Sequence, residues 1–182
     1  MHHILILTCS IWLVSCLMEP TLLYAQTFDT SNGHAEVEGA TSVTTYTGAS
    51  DQLEGIVDLN ADTLYFELPL KSIKTGISLR DQHMRDALEV EKYPKTRFSG
   101  KIIDGFPQKG ETVQTSVRGD YTIHGVTKQI EITGTIKWQD GQLLIKGSFP
   151  VKITEYDIEP PTVMFMSVYD EHEIRVDVTL TQ

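Results

Sequence analysis

The feature that most constrains this chain is a period of two that runs through two tight turns. Between residues 112 and 123, Val113, Val117, Tyr121 and Ile123 fall on odd positions, with Gln114, Arg118, Asp120 and Thr122 on even ones. In an extended strand that spacing gathers the apolar side chains on one face. After His124-Gly125 the pattern resumes with Ile130, Ile132, Ile136 and Trp138 on even positions. After Asp140-Gly141 it resumes again with Leu143, Ile145, Phe149, Val151 and Ile153 on odd ones. Both dipeptides are two-residue hairpin turns in which glycine supplies a positive φ. Three successive half-buried strands joined so tightly exclude a helical bundle and a parallel α/β sheet.

The same period extends both ways. Leu53, Val57 and Leu59 share one parity, and Leu64, Phe66, Leu68 and Leu70 share another, with the turn-forming residues 60–63 between them. Phe98, Gly100 and Ile102 form a further strand, and Ile174, Val176, Val178 and Leu180 the last. Residues 35–46, with Val37 and Val43 among threonines, are β-prone but weakly patterned. About eight strands in a meander, each with one polar face, satisfy a sandwich or a barrel. Closure removes the two exposed edges, so the expected fold is all-β, an eight-stranded antiparallel barrel. Eight strands leave an interior wide enough for one elongated apolar ligand.

Two segments break the alternation. Residues 78–91 read as a helix: Ser78 with Asp81 makes a capping-box-like start, Leu79, Met84, Ala87 and Leu88 approximate an apolar stripe, and Pro94 bounds it. Asp81 and Arg85, four apart, are spaced to pair on its surface. Residues 156–169 contain Pro160-Pro161 and the apolar run Val163-Met164-Phe165-Met166, a composition suited to a loop that covers a barrel end or lies across its wall.

Residues 1–25 have the layout of a secretory signal peptide: an apolar run over residues 4–18, Pro20, and a small residue before Gln26. Residues 26–182 then form one domain, periplasmic or secreted. Leu13-Val14-Ser15-Cys16 also resembles a lipobox, so lipid anchoring through Cys16 is a minority alternative. Cleavage after Ala25 removes both cysteines, Cys9 and Cys16, and with them disulfides, thiolate catalysis and cysteine-ligated metal. A formal net charge of −10 repels phosphate backbones and excludes nucleic acid as a partner. No nucleophile elbow or phosphate-cradling glycine loop occurs, and His34, His83, His124 and His172 lack metal-site spacing. The residues therefore point to no enzyme, no metal and no resident cofactor.

What remains is an apolar interior and one polar cluster. Phe66, Met84, Phe98, Tyr121, Trp138 and Phe149 suit the wall of a lipid-sized cavity, and an ordinary packed core shows identical alternation. Arg80 and His83 can donate to a ligand head group at a barrel mouth or fasten the helix to the rim.

These blocks together resemble the YceI-like family of bacterial secreted lipid-binding proteins. The resemblance rests on Ser72-Ile73-x-Thr75-Gly76, Arg80-Asp81-x-His83-Met84-Arg85 and Lys92-Tyr93-Pro94-x-x-x-Phe98. It continues through Gly119-x-Tyr121-Thr122-Ile123-His124-Gly125 and Phe149-x-Val151 to Tyr156-Asp157-Ile158 and Pro161. It implies a lipocalin-like barrel holding an isoprenoid lipid, a polyprenyl or quinone tail, in the periplasm without catalysis. The expected ligand contacts from the strands are Phe66, Phe98, Tyr121, Ile123, Ile132, Phe149 and Val151. From the helix come Leu79, Arg80, His83, Met84 and Leu88, and from the covering loop Phe165. Partners follow as the lipid itself, with peripheral contact to the envelope and a homodimer as open options. The rival expectation is a ligand-free structural or interaction module with a filled core.

Overall fold

The computed structural model describes residues 26–163 and 166–182. The expected leader, with Cys16, and the expected contact Phe165 lie outside the described residues.

Eight antiparallel strands close into a barrel: β1 (Thr27–Ala40), β2 (Thr45–Asp58), β3 (Thr63–Pro69), β4 (Lys95–Ile102), β5 (Thr112–Ile123), β6 (Val126–Gln139), β7 (Gln142–Lys152) and β10 (Glu171–Thr181). Each strand pairs with its sequence neighbour, and β1 meets β10 to close the ring. A two-residue ribbon, β8 (Thr162–Val163) with β9 (Met166–Ser167), stands apart. His124 and Gly125 have φ of 53° and 78°, and Asp140 and Gly141 have φ of 53° and 78°. Both hairpins thus carry the two positive φ values that match the right-handed twist of flanking strands.

The weakly patterned start has a structural cause. The stretch read as one β-prone segment, residues 35–46, contains the turn between β1 and β2. Thr41 makes that turn: its Oγ1 accepts from the Thr44 N–H at 3.2 Å and from the Val43 N–H at 3.4 Å. A threonine turn carries no glycine or proline to announce it. The register also shifts around Gly33, so β1 buries Phe28 on one parity and Ala35 on the other. The partner strand switches likewise, burying Gly48 and Ser50 above the irregularity and Leu53 and Val57 below it. A bulge inserts one residue, which reverses every inward position beyond it. At Gly33 a Cβ would lie 2.3 Å from Val178 Cγ1, so the bulge also brings backbone against side chain.

The two ends differ. Both long connections, residues 70–94 and 153–170, leave from the end where β3 and β7 finish. At the other end Phe28, Val57, Ile136, Leu143, Val178 and Leu180 are essentially sealed from solvent. There Phe28 and Trp138 meet edge to face, ring centroids 5.8 Å apart. The loop after β4 covers them with Phe106 and is stitched to β6, the Gly110 N–H donating to Trp138 O at 2.8 Å and the Trp138 N–H to Glu111 O at 3.0 Å.

The interruption at the open end is a helix, α1 (Ser78–Ala87), shorter than the expected 78–91. Glu89 takes a φ of 43° and ends any continuation. The expected capping box does not form: Ile77 occupies the N-cap position without a side-chain hydrogen bond. Asp81 does not pair with Arg85. Its carboxylate accepts instead from the Thr75 N–H at 2.8 Å and the Thr75 hydroxyl at 2.6 Å. Those bonds hold its pKa below the usual carboxylate value and tie α1 to the strand-like segment before it. Lys74 exchanges two 2.9 Å backbone hydrogen bonds with Ala49, where β3 has stopped short of β2.

Candidate functional site

The open end of the barrel holds a cavity of about 400 Å3. Its wall is built from the upper parts of the strands: Ala35, Val37, Gly48, Leu68, Thr96, Tyr121, Ile123, Val151 and Ile174. Small residues at inward positions, Ala35, Gly48 and Thr96, leave the space that aromatic and branched side chains fill at the sealed end. Gly48 is packed on its inner face by Ile73, whose Cγ2 would lie 2.9 Å from an added Cβ. Glycine there lets the connection to α1 lie against the wall.

From α1, Arg80, His83, Met84 and Ala87 face the cavity, followed by Leu88. Their spacing of i, i+3, i+4, i+7 and i+8 is one helical face. The eight expected contacts that reach the cavity are Leu79, Arg80, His83, Met84, Leu88, Tyr121, Ile123 and Val151. Leu79, expected to point inward, sits at the lip and is 60% exposed, because it flanks the stripe rather than belonging to it. Phe66, Phe98, Ile132 and Phe149 do not border the cavity; they pack in or against the barrel core. Phe66 fills the space over Gly55, where a Cβ would lie 2.2 Å from its ring. Phe149 stacks edge to face on Tyr121 at 5.3 Å and backs the cavity floor from behind. Alternation placed all four inside correctly, but it carries no information about height along the barrel.

Two polar residues of the mouth escaped sequence reading. The Tyr46 hydroxyl and His172 Nε2 are 2.8 Å apart, across 126 residues of chain. His172 Nδ1 lies 3.3 Å from Asp170 O, so Nδ1–H donates there and Nε2 accepts from Tyr46. Burial lowers the His172 pKa and raises that of Tyr46, favouring the neutral pair. Gly39 gives both rings room: a Cβ there would lie 2.5 Å from the Tyr46 hydroxyl and 2.6 Å from the His172 ring. Only that pairing of glycine with a tyrosine and a histidine on neighbouring strands could have revealed the pair. It becomes readable once the register is known.

Arg80 completes the mouth. Its guanidinium lies over the Tyr46 ring, 5.4 Å from the centroid, and Nη2 donates to Thr75 O at 3.4 Å. Its Nε is buried without a hydrogen-bond partner among the described residues. Deeper, burial pushes the Tyr121 hydroxyl up to about 12, so it stays protonated at any physiological pH. Around the lip, Val43, Ile77, Leu79 and Tyr169 are large apolar residues left exposed.

The other motifs are structural staples. Ser72 Oγ donates to Pro69 O at 2.6 Å and lies 2.6 Å from Ser50 Oγ, Ile73 is buried, and Gly76 takes a φ of 78°. His124 Nδ1–H donates to Tyr156 O at 3.1 Å, and its ring meets Tyr93 edge to face at 4.9 Å. Among the described residues no group of three or more His, Cys, Asp or Glu is placed to hold a metal ion.

A closed barrel with one sealed end, one apolar cavity and a few polar groups at its lip defines a class of barrels built around a hydrophobic interior site. The chain belongs to the YceI-like domain family, whose model matches residues 26–180. Its fold is similar to a polyisoprenoid binding domain from Saccharophagus degradans implicated in plant cell wall breakdown. The TM-score is 0.73 and the identity 16%, over 86% of this chain and 98% of that one. BcnA of Burkholderia cenocepacia aligns with a TM-score of 0.68 at 16% identity, over 82% and 96% of the two chains. Among curated relatives, a UPF0312 protein of Pseudomonas savastanoi pv. phaseolicola is 29% identical over 109 residues, 56% of this chain and 55% of that one. A UPF0312 protein of Vibrio parahaemolyticus is 30% identical over 115 residues, 58% and 57% of the two chains. The chain spans little more than half the length of the curated relatives it matches.

Proposed function

We propose that this protein is a non-enzymatic binding or carrier protein for an amphiphilic isoprenoid lipid, with a polyprenyl or quinone tail held in the barrel. The observation that carries this reading is the cavity of about 400 Å3, walled mainly by apolar side chains and open at one end. Apolar burial supplies the affinity, at about 25 cal/mol per Å2 removed from water. The similarity to a domain described as polyisoprenoid binding supports the same reading. The polar groups at the lip, Arg80, Tyr46 and His172, are placed to hold and orient a head group, which supports binding.

The leader-like first 25 residues support a periplasmic setting. The exposed Val43, Ile77, Leu79 and Tyr169 suit a peripheral encounter with a membrane surface while the ligand passes the lip.

Purification without detergent, organic extraction and mass spectrometry test the reading. A lipid recovered in near-stoichiometric amount is expected. Recovery of none, together with a crystal structure showing the open end filled by side chains, overturns it in favour of a ligand-free interaction module.

A further inference from the structure

The cavity has a definite size and a definite electrostatic asymmetry, and together they narrow its occupant. An apolar cavity of about 150 Å3 accommodates the six carbons of benzene, so by proportion a cavity of about 400 Å3 houses about sixteen. The space cannot extend further down the barrel. Tyr121 and Phe149 close its floor at 5.3 Å, and the sealed core lies beyond. A tail much longer than this leaves its remainder in water.

The asymmetry lies at the lip. Arg80 borders the cavity with a buried Nε that has no hydrogen-bond partner and no carboxylate within ion-pair distance among the described residues. That is unusual placement for a cation in a chain with 25 acidic and 15 basic residues. The nearby carboxylates are already engaged. Asp81 accepts twice from Thr75, and Glu36, the one acidic residue along the wall, turns its carboxylate to His34 Nε2 at 3.2 Å. Tyr46 and His172 satisfy each other. Arg80 therefore keeps an unsatisfied Nε beside the cavity, and a guanidinium held against an aromatic face is suited to an oxyanion.

We infer that the occupant is a single chain of about fifteen or sixteen carbons ending in an oxyanion, its head on Arg80 and its tail against Tyr121. This rests on the lipid-carrier reading and makes it specific. It favours an acid of three isoprene units, or an acyl chain of equal length, over a neutral quinone or a forty-carbon tail.

The test uses delipidated full-length domain and displacement of a fluorescent fatty-acid probe. Farnesyl monophosphate and palmitate are compared with farnesol, the neutral counterpart, and with octaprenyl monophosphate. The two acids are expected to bind about tenfold or more tightly than farnesol, one charge-assisted contact's worth. Octaprenyl monophosphate is expected to bind no more tightly than its fifteen-carbon counterpart. Arg80→Gln should erase the preference for acids, lowering acid affinity about tenfold more than it changes farnesol affinity. Arg80→Lys, with a thermal melt for each variant, separates loss of the head contact from loss of folding. Preference of palmitate over farnesyl monophosphate, or the reverse, assigns the chain as acyl or prenyl; either supports the head and length assignments, and an acyl preference overturns the isoprenoid part of the carrier reading. Equal binding of farnesol and the acids in the native protein overturns the head assignment. Tighter binding of the forty-carbon ligand overturns the length assignment, and both of these results leave the carrier reading intact. Failure of every amphiphile to displace the probe overturns the carrier reading itself.

Discussion

The two ends of the barrel obey the same alternation and reach opposite outcomes. At the sealed end Phe28, Leu143 and Leu180 are closed off from solvent, and Trp138 meets Phe28 edge to face. At the open end the inward positions include Ala35, Gly48 and Thr96, whose side chains do not reach across, and a cavity remains. The lesson is that the interior of such a barrel is set by residue volume at each height, not by the hydrophobic pattern. Tight packing and open space are consequently separated along one axis. One half supplies the packed core, while the other sacrifices packing to keep a space.

That separation can be broken most sharply from the sealed end. Leu143→Ala should cost about 2 to 5 kcal/mol in chemical denaturation, since Leu143 has no exposed surface and its neighbours cannot collapse freely. Lipid recovered per folded protein should stay unchanged. Val151→Ala, at the cavity wall, should cost distinctly less, because it enlarges an existing space. Equal losses at the two positions would show the open end to be packed as tightly as the closed one.

The converse change fills the space. Ala35→Phe should lower lipid recovery about tenfold or more while leaving the denaturation midpoint of delipidated protein unchanged or raised. Mass spectrometry of extracts, beside a urea titration, reads both quantities.

A smaller effect is expected at the staple that holds α1 over the cavity. Asp81→Asn weakens two hydrogen bonds to Thr75 and should cost about 1 to 2 kcal/mol, with faster amide exchange confined to α1. Exchange that quickens across the barrel strands instead would mean that α1 and the barrel open as one unit.

The smallest effects are pH slopes. On the outer wall Glu67 accepts from Lys95 and from Arg97, the latter at 2.6 Å, and these contacts hold its pKa at about 2 against an ordinary 4.5. A depressed carboxyl stabilises above its unfolded pKa, so this contribution fades as pH falls from about 4.5 toward 2. It amounts to about 1 kcal/mol once solvent around the basic partners is allowed for, and Glu67→Gln should flatten that part of the curve. His172 follows the same sign for a different reason. Burial lowers its pKa below 6.5, so the stability it provides is present above 6.5 and is lost as pH falls through the depressed value. His34 runs opposite: Asp51 and Glu36 raise its pKa, so its contribution is present below 6.5 and fades as pH rises through the raised value. A His172→Gln variant should lose the acid-side slope of the open end, measured as the pH dependence of the melting temperature.

Much of this architecture was legible in the residues. From 112 to 152 the pattern alone defined three strands, their inward faces and both turns, because a tight turn with glycine leaves one register. Ile153, read as strand, begins a 3-10 turn. Of β1 and β2, only the end of β2 that carries Leu53 and Val57 was legible. The turn between them is made by a threonine hydroxyl, and the bulge reverses parity near Gly33, so two short patterns of opposite phase cancel into noise. The helix was visible as an interruption, but its anchoring was misread. Asp81 looked like a partner for Arg85 because both sit on one helix, whereas Thr75, outside the helix, offers two donors at once. Of the expected site, the α1 residues reached the cavity and the aromatic residues Phe66, Phe98 and Phe149 did not.

What the sequence by itself determined is the set of inward and outward faces, the closure they require, and the acidic exterior. Those follow from local stereochemistry and from water's exclusion of apolar surface, which act on neighbours along the chain. The tertiary structure alone decided which inward residues meet each other and which face empty space. It brought Tyr46 to His172 across 126 residues and set Arg80 over that tyrosine without a carboxylate partner among the described residues. Contact across a barrel depends on strand stagger and side-chain length summed over opposite walls, and no local pattern encodes that sum.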